Sequence, residues 1–170
     1  MNTGFHFSET IVYRDEIVGK LGLSLIDLKP KVPKSLQLGM NGKLLFTSDP
    51  DHCCDLNKTQ PMEKLLMGYD VWIIGLRSDQ SETRKNMSIE EEAPHGVTRF
   101  HPIISWTNRQ IWEYRKKYDL PEHPLDQHGY MSIGCEPCTR KLDPEMQERE
   151  ARWYGLNKTE CGLHTELIGK

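Results

Sequence analysis

The residues best suited to chemistry in this chain are its five cysteines, and their spacing is uneven. Cys53 and Cys54 are adjacent, Cys135 and Cys138 form a CxxC pair about eighty residues later, and Cys161 stands alone near the C-terminus. Thiolates are soft ligands, and four of them brought together hold zinc or an iron–sulfur cluster. Structural zinc sites usually take two ligands from each of two CxxC-like turns. Neighbouring cysteines diverge, which suits the separate iron corners of a cubane better than one small ion. Residue types alone leave open zinc, a cluster and two unrelated buried cysteine pairs. Pro137 inside the CxxC stiffens its turn under either metal reading.

Cys161 belongs to the segment Glu160-Cys161-Gly162-Leu163-His164. A terminal segment is expected to move, so this thiol could reach a substrate and then a partner, with His164 as a nearby group able to raise its thiolate fraction. A tail cysteine without a role is the simpler reading of these residues by themselves. Among the basic residues, Lys58 follows Cys54 by four positions, one helical turn away if that segment is helical. Arg149 and Arg152 are three apart and would share a helix face as an anion clamp. Arg77, Gln80, Ser81 and Arg84 follow an apolar run, where a phosphate or sulfate group could accept several hydrogen bonds. Each also has an ordinary surface reading.

The elements that would position these groups alternate. Ser8 is expected to cap a helix ending at Gly22, and 23–28 reads as a strand. Positions 29–48 read as irregular, and 62–67 as a short helix. The run 71–76 reads as a buried-type strand feeding a loop at 77–87, the end of a strand at which α/β proteins bind ligands. A second strand is expected over 97–105, a capping box at Thr107 to Gln110 opens a helix, and 144–154 reads as a last helix. Glu90 to Glu92 read as a solvated loop. No domain boundary is evident, so one domain over 1–170 is expected, with a flexible tail from about residue 155.

Lys and Arg total 22 against 25 acidic residues, a formal net charge of −3. That gives no global positive field for nucleic acid or an anionic membrane. The N-terminus lacks a secretory pattern and the longest apolar run is too short to span a bilayer, so a cytoplasmic location is expected. In a reducing compartment, metal ligation or thiol chemistry explains five cysteines better than disulfides do.

Taken in order, NTGFHFSET, DPDHCCDLNK, GYDVWIIGLRSDQSETR, HPIISWT, HGYMSIGCEPCT, REARWY and KTECGLH resemble the C-terminal two-thirds of the assimilatory sulfonucleotide reductases. The likeness implies an α/β fold of the adenine-nucleotide alpha-hydrolase (PP-loop) type, a parallel-type sheet flanked by helices. It implies a [4Fe-4S] cluster on Cys53, Cys54, Cys135 and Cys138, and Cys161 as the nucleophile. Lys58, Arg77, Arg84, Arg149, Arg152 and His164 align with residues around the phosphosulfate or the nucleophile. The implied reaction is thioredoxin-dependent (or glutaredoxin-dependent) reduction of adenylyl sulfate to sulfite and AMP through a cysteine S-sulfonate. Alternatives are phosphoadenylyl sulfate as substrate, with release of adenosine 3',5'-bisphosphate, and an inactive metal-binding fragment. Homo-oligomerisation stays open.

The chain departs from that family in one respect. The glycine-rich SGGKDS-type phosphate loop and the first strand have no counterpart, and Asn2 stands where an acid is usual. The expectation is a truncated reductase whose nucleotide cradle is incomplete.

Overall fold

The computed structural model describes residues 1–165. Helix α1, Ser8–Leu21, begins after Phe7 without a side-chain cap, because the Ser8 hydroxyl turns to Glu9 instead. It ends as expected at Gly22, whose φ of 60° is a left-handed conformation that glycine adopts at no steric cost. The expected strand over 23–28 does not form. Leu23, Leu25 and Ile26 are about half exposed, and among the described residues no neighbouring strand offers them a ladder.

After an irregular stretch come helix α2, Leu45–Ser48, and helix α3, Pro50–Cys54. A single π-helical turn, Asp55–Thr59, then leads into helix α4, Gln60–Leu66. A π turn inside a helical run carries one extra residue per turn and re-aims the side chains it bears, a device common at functional sites. Here it carries Asn57 and Lys58.

Strand β1 is only Val71–Ile73, and helix α5, Glu82–Lys85, breaks up the expected loop that follows. Glu90–Glu92 forms strand β2 rather than a solvated loop. Strand β3 is Thr98–Phe100, and helix α6, Asn108–Lys117, opens with the expected reciprocal Thr107–Gln110 capping box. The sheet order is β1-β3-β2. β3 pairs in parallel with β1 and antiparallel with β2, so the expected parallel pairing is present within a mixed sheet. Among the described residues β1 has a partner on one side only. Val71 and Ile73 are accordingly exposed, against the buried strand expected there. Arg99 sits at the middle of β3 between Trp72 and Glu91 in register, fully buried, with its guanidinium 3.4 Å from Glu91.

Residues 144–154 are turns, not the expected helix. Trp153 adopts φ +52°, which no α-helix accommodates, and its ring is 2 % exposed. Two apolar clusters anchor the molecule. Leu66, Ala93 and Val97 gather Met62, Trp72 and Leu163; Phe5, Leu45 and Cys53 gather Phe46, Leu56 and Cys135. The second cluster binds the N-terminal segment directly to both cysteine pairs.

Candidate active site

α3 is started by the Asp49 carboxylate, which accepts the His52 N–H at 3.0 Å, with Pro50 at its first turn. That start places Cys53 and Cys54, both buried, at the end of α3. In the π turn the buried Asn57 amide lies within bonding distance of Gln37 Oε1 (2.6 Å), the Cys53 carbonyl (2.8 Å) and Cys53 Sγ (3.6 Å). The second pair is held by the chain start. The Glu136 N–H donates to the Phe5 carbonyl at 2.7 Å, and Thr3 Oγ1 lies 3.4 Å from Cys135 Sγ. Pro137 opens the short 3₁₀ turn between Cys135 and Cys138.

These four cysteines line one small cavity, together with Phe5, Asn57 and Lys58. Burial and the charges of Cys135 and Cys138 push the Cys53 thiol up to about 11, and burial followed by Cys135 raises Cys138. Buried thiols crowded in this way resist ionising together, and a metal centre that takes up thiolates is the chemical partner such a set fits. Among the described residues no three His, Cys, Asp or Glu side chains close on a point that a single metal ion would occupy.

Cys161 is buried beside this set. Its sulfur shares a hydrogen bond with Cys54 that favours the Cys161 thiolate; burial opposes this, while Lys58 and the Leu163 N–H support it. The same bond raises Cys54. The segment around Cys161 is docked over its described part. Lys158 pairs with Asp51, Leu163 joins the core beside Trp72, and residues 166–170 of the expected tail lie outside the described residues.

A cleft of about 300 Å³ opens beside Cys161, lined also by Lys58, Arg84, Arg149, Arg152 and His164. Five of the six auxiliary positions expected from the sequence thus line one cleft with Cys161. Arg77 does not. Its guanidinium is taken by Asp79 at 3.0 Å and Glu148 at 3.1 Å, against the start of α6 and outside this cleft. Arg149 and Arg152 share the cleft through consecutive turns, not through a helix face.

The cations in the cleft differ in their partners. Arg84 Nε and Nη2 donate to the two oxygens of Glu160 at 2.7 and 3.1 Å, and Arg149 Nη2 donates to Glu160 Oε1 at 2.7 Å. Burial works to raise the Glu160 carboxyl, but these arginines outweigh it and hold it below its ordinary value. Burial, then the Arg84 charge, lowers Arg149 to about 10. Lys58 and Arg152 make no ion pair with a carboxylate among the described residues. Burial disfavours the Lys58 charge, yet Cys135, Cys161 and Cys54 raise it overall. His164 is lowered to about 3, mainly by burial and further by Arg84, Arg99 and Arg149, so it is neutral near pH 7. The arrangement sets a cysteine whose thiolate is favoured next to a lysine and an arginine that have no carboxylate partner among the described residues, a combination suited to attack on an anionic substrate.

Two residues of this site escaped sequence reasoning. Glu160 looks like any acid beside a cysteine until the fold brings Arg84 to it from 76 positions away. Gly134 precedes the CxxC, and a Cβ there would stand 2.1 Å from Arg152 Nη2, so the absent side chain is what seats that guanidinium. The motif IGCEPC held the glycine in view without a reason for it.

Residues 1–141 match the phosphoadenosine phosphosulfate reductase domain family. The chain is 38% identical over 168 residues to a phosphoadenosine 5'-phosphosulfate reductase of Gloeobacter violaceus, covering 96% of this chain and 70% of that one. It is 42% identical over 168 residues to an adenosine 5'-phosphosulfate reductase of Halalkalibacterium halodurans, covering 96% and 72%. Among solved structures, phosphoadenylyl-sulfate reductase from Candida auris in a phosphate complex superposes with a TM-score of 0.66 at 24% identity. That likeness is one of fold, over 79% of this chain and 66% of the other.

Proposed function

The chain belongs to the phosphoadenosine phosphosulfate reductase domain family, a family of enzymes, and from that premise we propose that it encodes the reduction of adenylyl sulfate to sulfite and AMP, with thioredoxin or glutaredoxin as reductant in the cytoplasm. The observation that carries this reading is the placement of Cys161 in a cleft with Lys58 and Arg152, beside the two cysteine pairs. The name of the Halalkalibacterium relative favours adenylyl sulfate, and that of the Gloeobacter relative keeps phosphoadenylyl sulfate as the second reading.

The Cys161 thiolate attacks the sulfur of the substrate's sulfate group. A sulfur–sulfur bond forms, the sulfur–oxygen bond to the phosphate breaks, and AMP leaves with the electron pair. Lys58 and Arg152 offset the charge that grows on the departing phosphate oxygen. A thiolate of the reductant then attacks Cys161 Sγ and expels sulfite, and its second thiol releases Cys161 as a thiolate, so the dithiol supplies both electrons and is left as a disulfide. Neutral His164 keeps no competing charge on the nucleophile's turn. Cys53, Cys54, Cys135 and Cys138 would hold the [4Fe-4S] cluster, whose contribution when bound is electrostatic and structural, since the electrons come from the dithiol. Delivery of Cys161 to the reductant requires its docked segment to open.

Incubation of the chain with adenylyl sulfate, thioredoxin and thioredoxin reductase should release sulfite, and omission of thioredoxin should leave one SO3 on the peptide holding Cys161. Absence of that adduct with Cys161 intact and adenylyl sulfate bound would overturn the reading. The chain spans about 70% of the length of these relatives, so AMP binding is measured alongside turnover.

A further inference from the structure

The basic residues of the cleft divide by what already neutralises them. Glu160 receives Arg84 through two nitrogens and Arg149 through one, and its side chain is 2 % exposed. The third nitrogen of Arg84 is also engaged, by Gln80. The same carboxylate accepts the backbone N–H of Cys161 at 2.9 Å. One acid therefore ties the nucleophile's own peptide unit to two arginines from distant parts of the chain. An oxyanion reaching Arg84 or Arg149 would have to expel a buried, charge-paired carboxylate. Among the described residues it meets no such competitor at Lys58 or Arg152. Arg152 donates only Nε, to the Cys138 carbonyl at 3.3 Å, among the described residues.

We propose that Glu160 is a positioning residue acting through Cys161: Arg84 and Arg149 are the dock of the nucleophile's segment, and Lys58 and Arg152 are the pair left for the phosphosulfate of the substrate. This deepens the reductase reading and rests on it for the identity of the anion, although the dock itself does not. Docked, the Glu160 clamp holds Cys161 at the cleft for attack. Opening for the reductant means parting Glu160 from both arginines together, and charge-assisted hydrogen bonds in a buried setting make that opening infrequent.

Two readouts on the 170-residue chain, kept anaerobic, test this. The first is the rate at which iodoacetamide labels Cys161, assigned by peptide mass, with tryptic cleavage after Lys158 as an independent measure of the open segment. Glu160→Gln should accelerate both by about tenfold or more, the scale of losing charged hydrogen bonds. Glu160→Asp should fall between it and the parent chain. Arg149→Gln should accelerate labelling alone, but add little to Glu160→Gln, because the two act on one clamp. The second readout is AMP affinity, which Arg152→Gln should weaken about tenfold or more while leaving tryptic cleavage after Lys158 at the parental rate. Glu160→Gln should not weaken AMP binding and should hold or raise it, because it unmasks Arg84 and Arg149 and removes no phosphate contact. Labelling and cleavage at the parental rate in Glu160→Gln and Arg149→Gln would overturn the dock. So would a loss of AMP affinity in Arg84→Gln equal to that in Arg152→Gln. Should Glu160→Gln not fold, Glu160→Asp and Arg149→Gln carry the same comparison. Failure of the reductase reading shows separately, as no sulfite and no Cys161 adduct from a chain whose dock behaves as stated.

Discussion

Replacing Gly134 by alanine puts a methyl group in place of a hydrogen at a site where the structure leaves no room for it. The new Cβ would stand 2.1 Å from Arg152 Nη2, 2.4 Å from Cζ and 2.6 Å from Nη1, against 3.4 Å or more for ordinary contact. Gly134 has no positive φ, so alanine costs the backbone nothing there and the whole effect falls on the guanidinium. The end of an arginine side chain can swing away, so global stability should change little. What is lost is position. The Arg152 Nε bond to the Cys138 carbonyl is already 3.3 Å long, and the guanidinium stacks 4.6 Å from the Trp153 ring. A shift of the size required breaks the first and disturbs the second. If the displaced cation no longer meets the substrate phosphate, the loss is one charged hydrogen-bond contact, about 1.5–3 kcal/mol or roughly ten- to a hundredfold in affinity. Calorimetric titration with AMP, together with a thermal melt, reads this. Gly134→Ala should weaken AMP binding on that scale with the melting point nearly unchanged, and should cost nothing further in an Arg152→Gln background. Equal additional loss in both backgrounds, or unaltered affinity, would refute the steric coupling.

Arg77 tests the separation of sites. Arg77→Gln removes the ion pairs to Asp79 and Glu148 from a side chain 9 % exposed, so urea unfolding should show a loss of about 1–3 kcal/mol, while AMP affinity stays at the parental value. His164 tests the charge balance by pH. Its folded pKa of about 3 lies below the unfolded value of 6.5, so the unfolded chain takes up the proton first. The stability held above pH 6.5 should therefore fall as pH drops from 6.5 toward 3, by on the order of 2 kcal/mol after solvent screening of a partly exposed ring. In His164→Gln, denaturant midpoints across that window should flatten; an unchanged slope would show that His164 is not the group responsible.

Much of this architecture is legible before any coordinates. The capping box at Thr107, the stop at Gly22 and the helix beginning near Met62 rest on local rules, and local geometry obeys them. The cysteines are legible because thiols are few and their spacing limits what they can hold. Failures occur where a tertiary partner decides. The 23–28 segment has strand composition but no adjacent strand to pair with. Glu90–Glu92 has the composition of a loop yet gains a ladder with Thr98–Phe100, where Glu91 faces Arg99. The 144–154 stretch has helical spacing, but Trp153 is drawn into the core in a left-handed conformation that ends any helix before it.

The basic residues show the same division at the level of function. Sequence supplies an inventory of Lys58, Arg77, Arg84, Arg149 and Arg152, all equally cationic and all aligned with one site. Acids then sort them. Asp79 and Glu148 claim Arg77, which becomes a strut at the start of α6; Glu160, next to Cys161 in sequence, claims Arg84 and Arg149. Only Lys58 and Arg152 of these stay without a carboxylate among the described residues, and at both the cysteine charges oppose the effect of burial. A cation already satisfied by a buried carboxylate has little left to offer an incoming phosphate, because exchanging one anion for another gains only the difference between them. The role of an arginine in a site like this is therefore set by the acid that the fold does or does not deliver to it, and that acid stands 76 residues from Arg84 and 71 from Arg77.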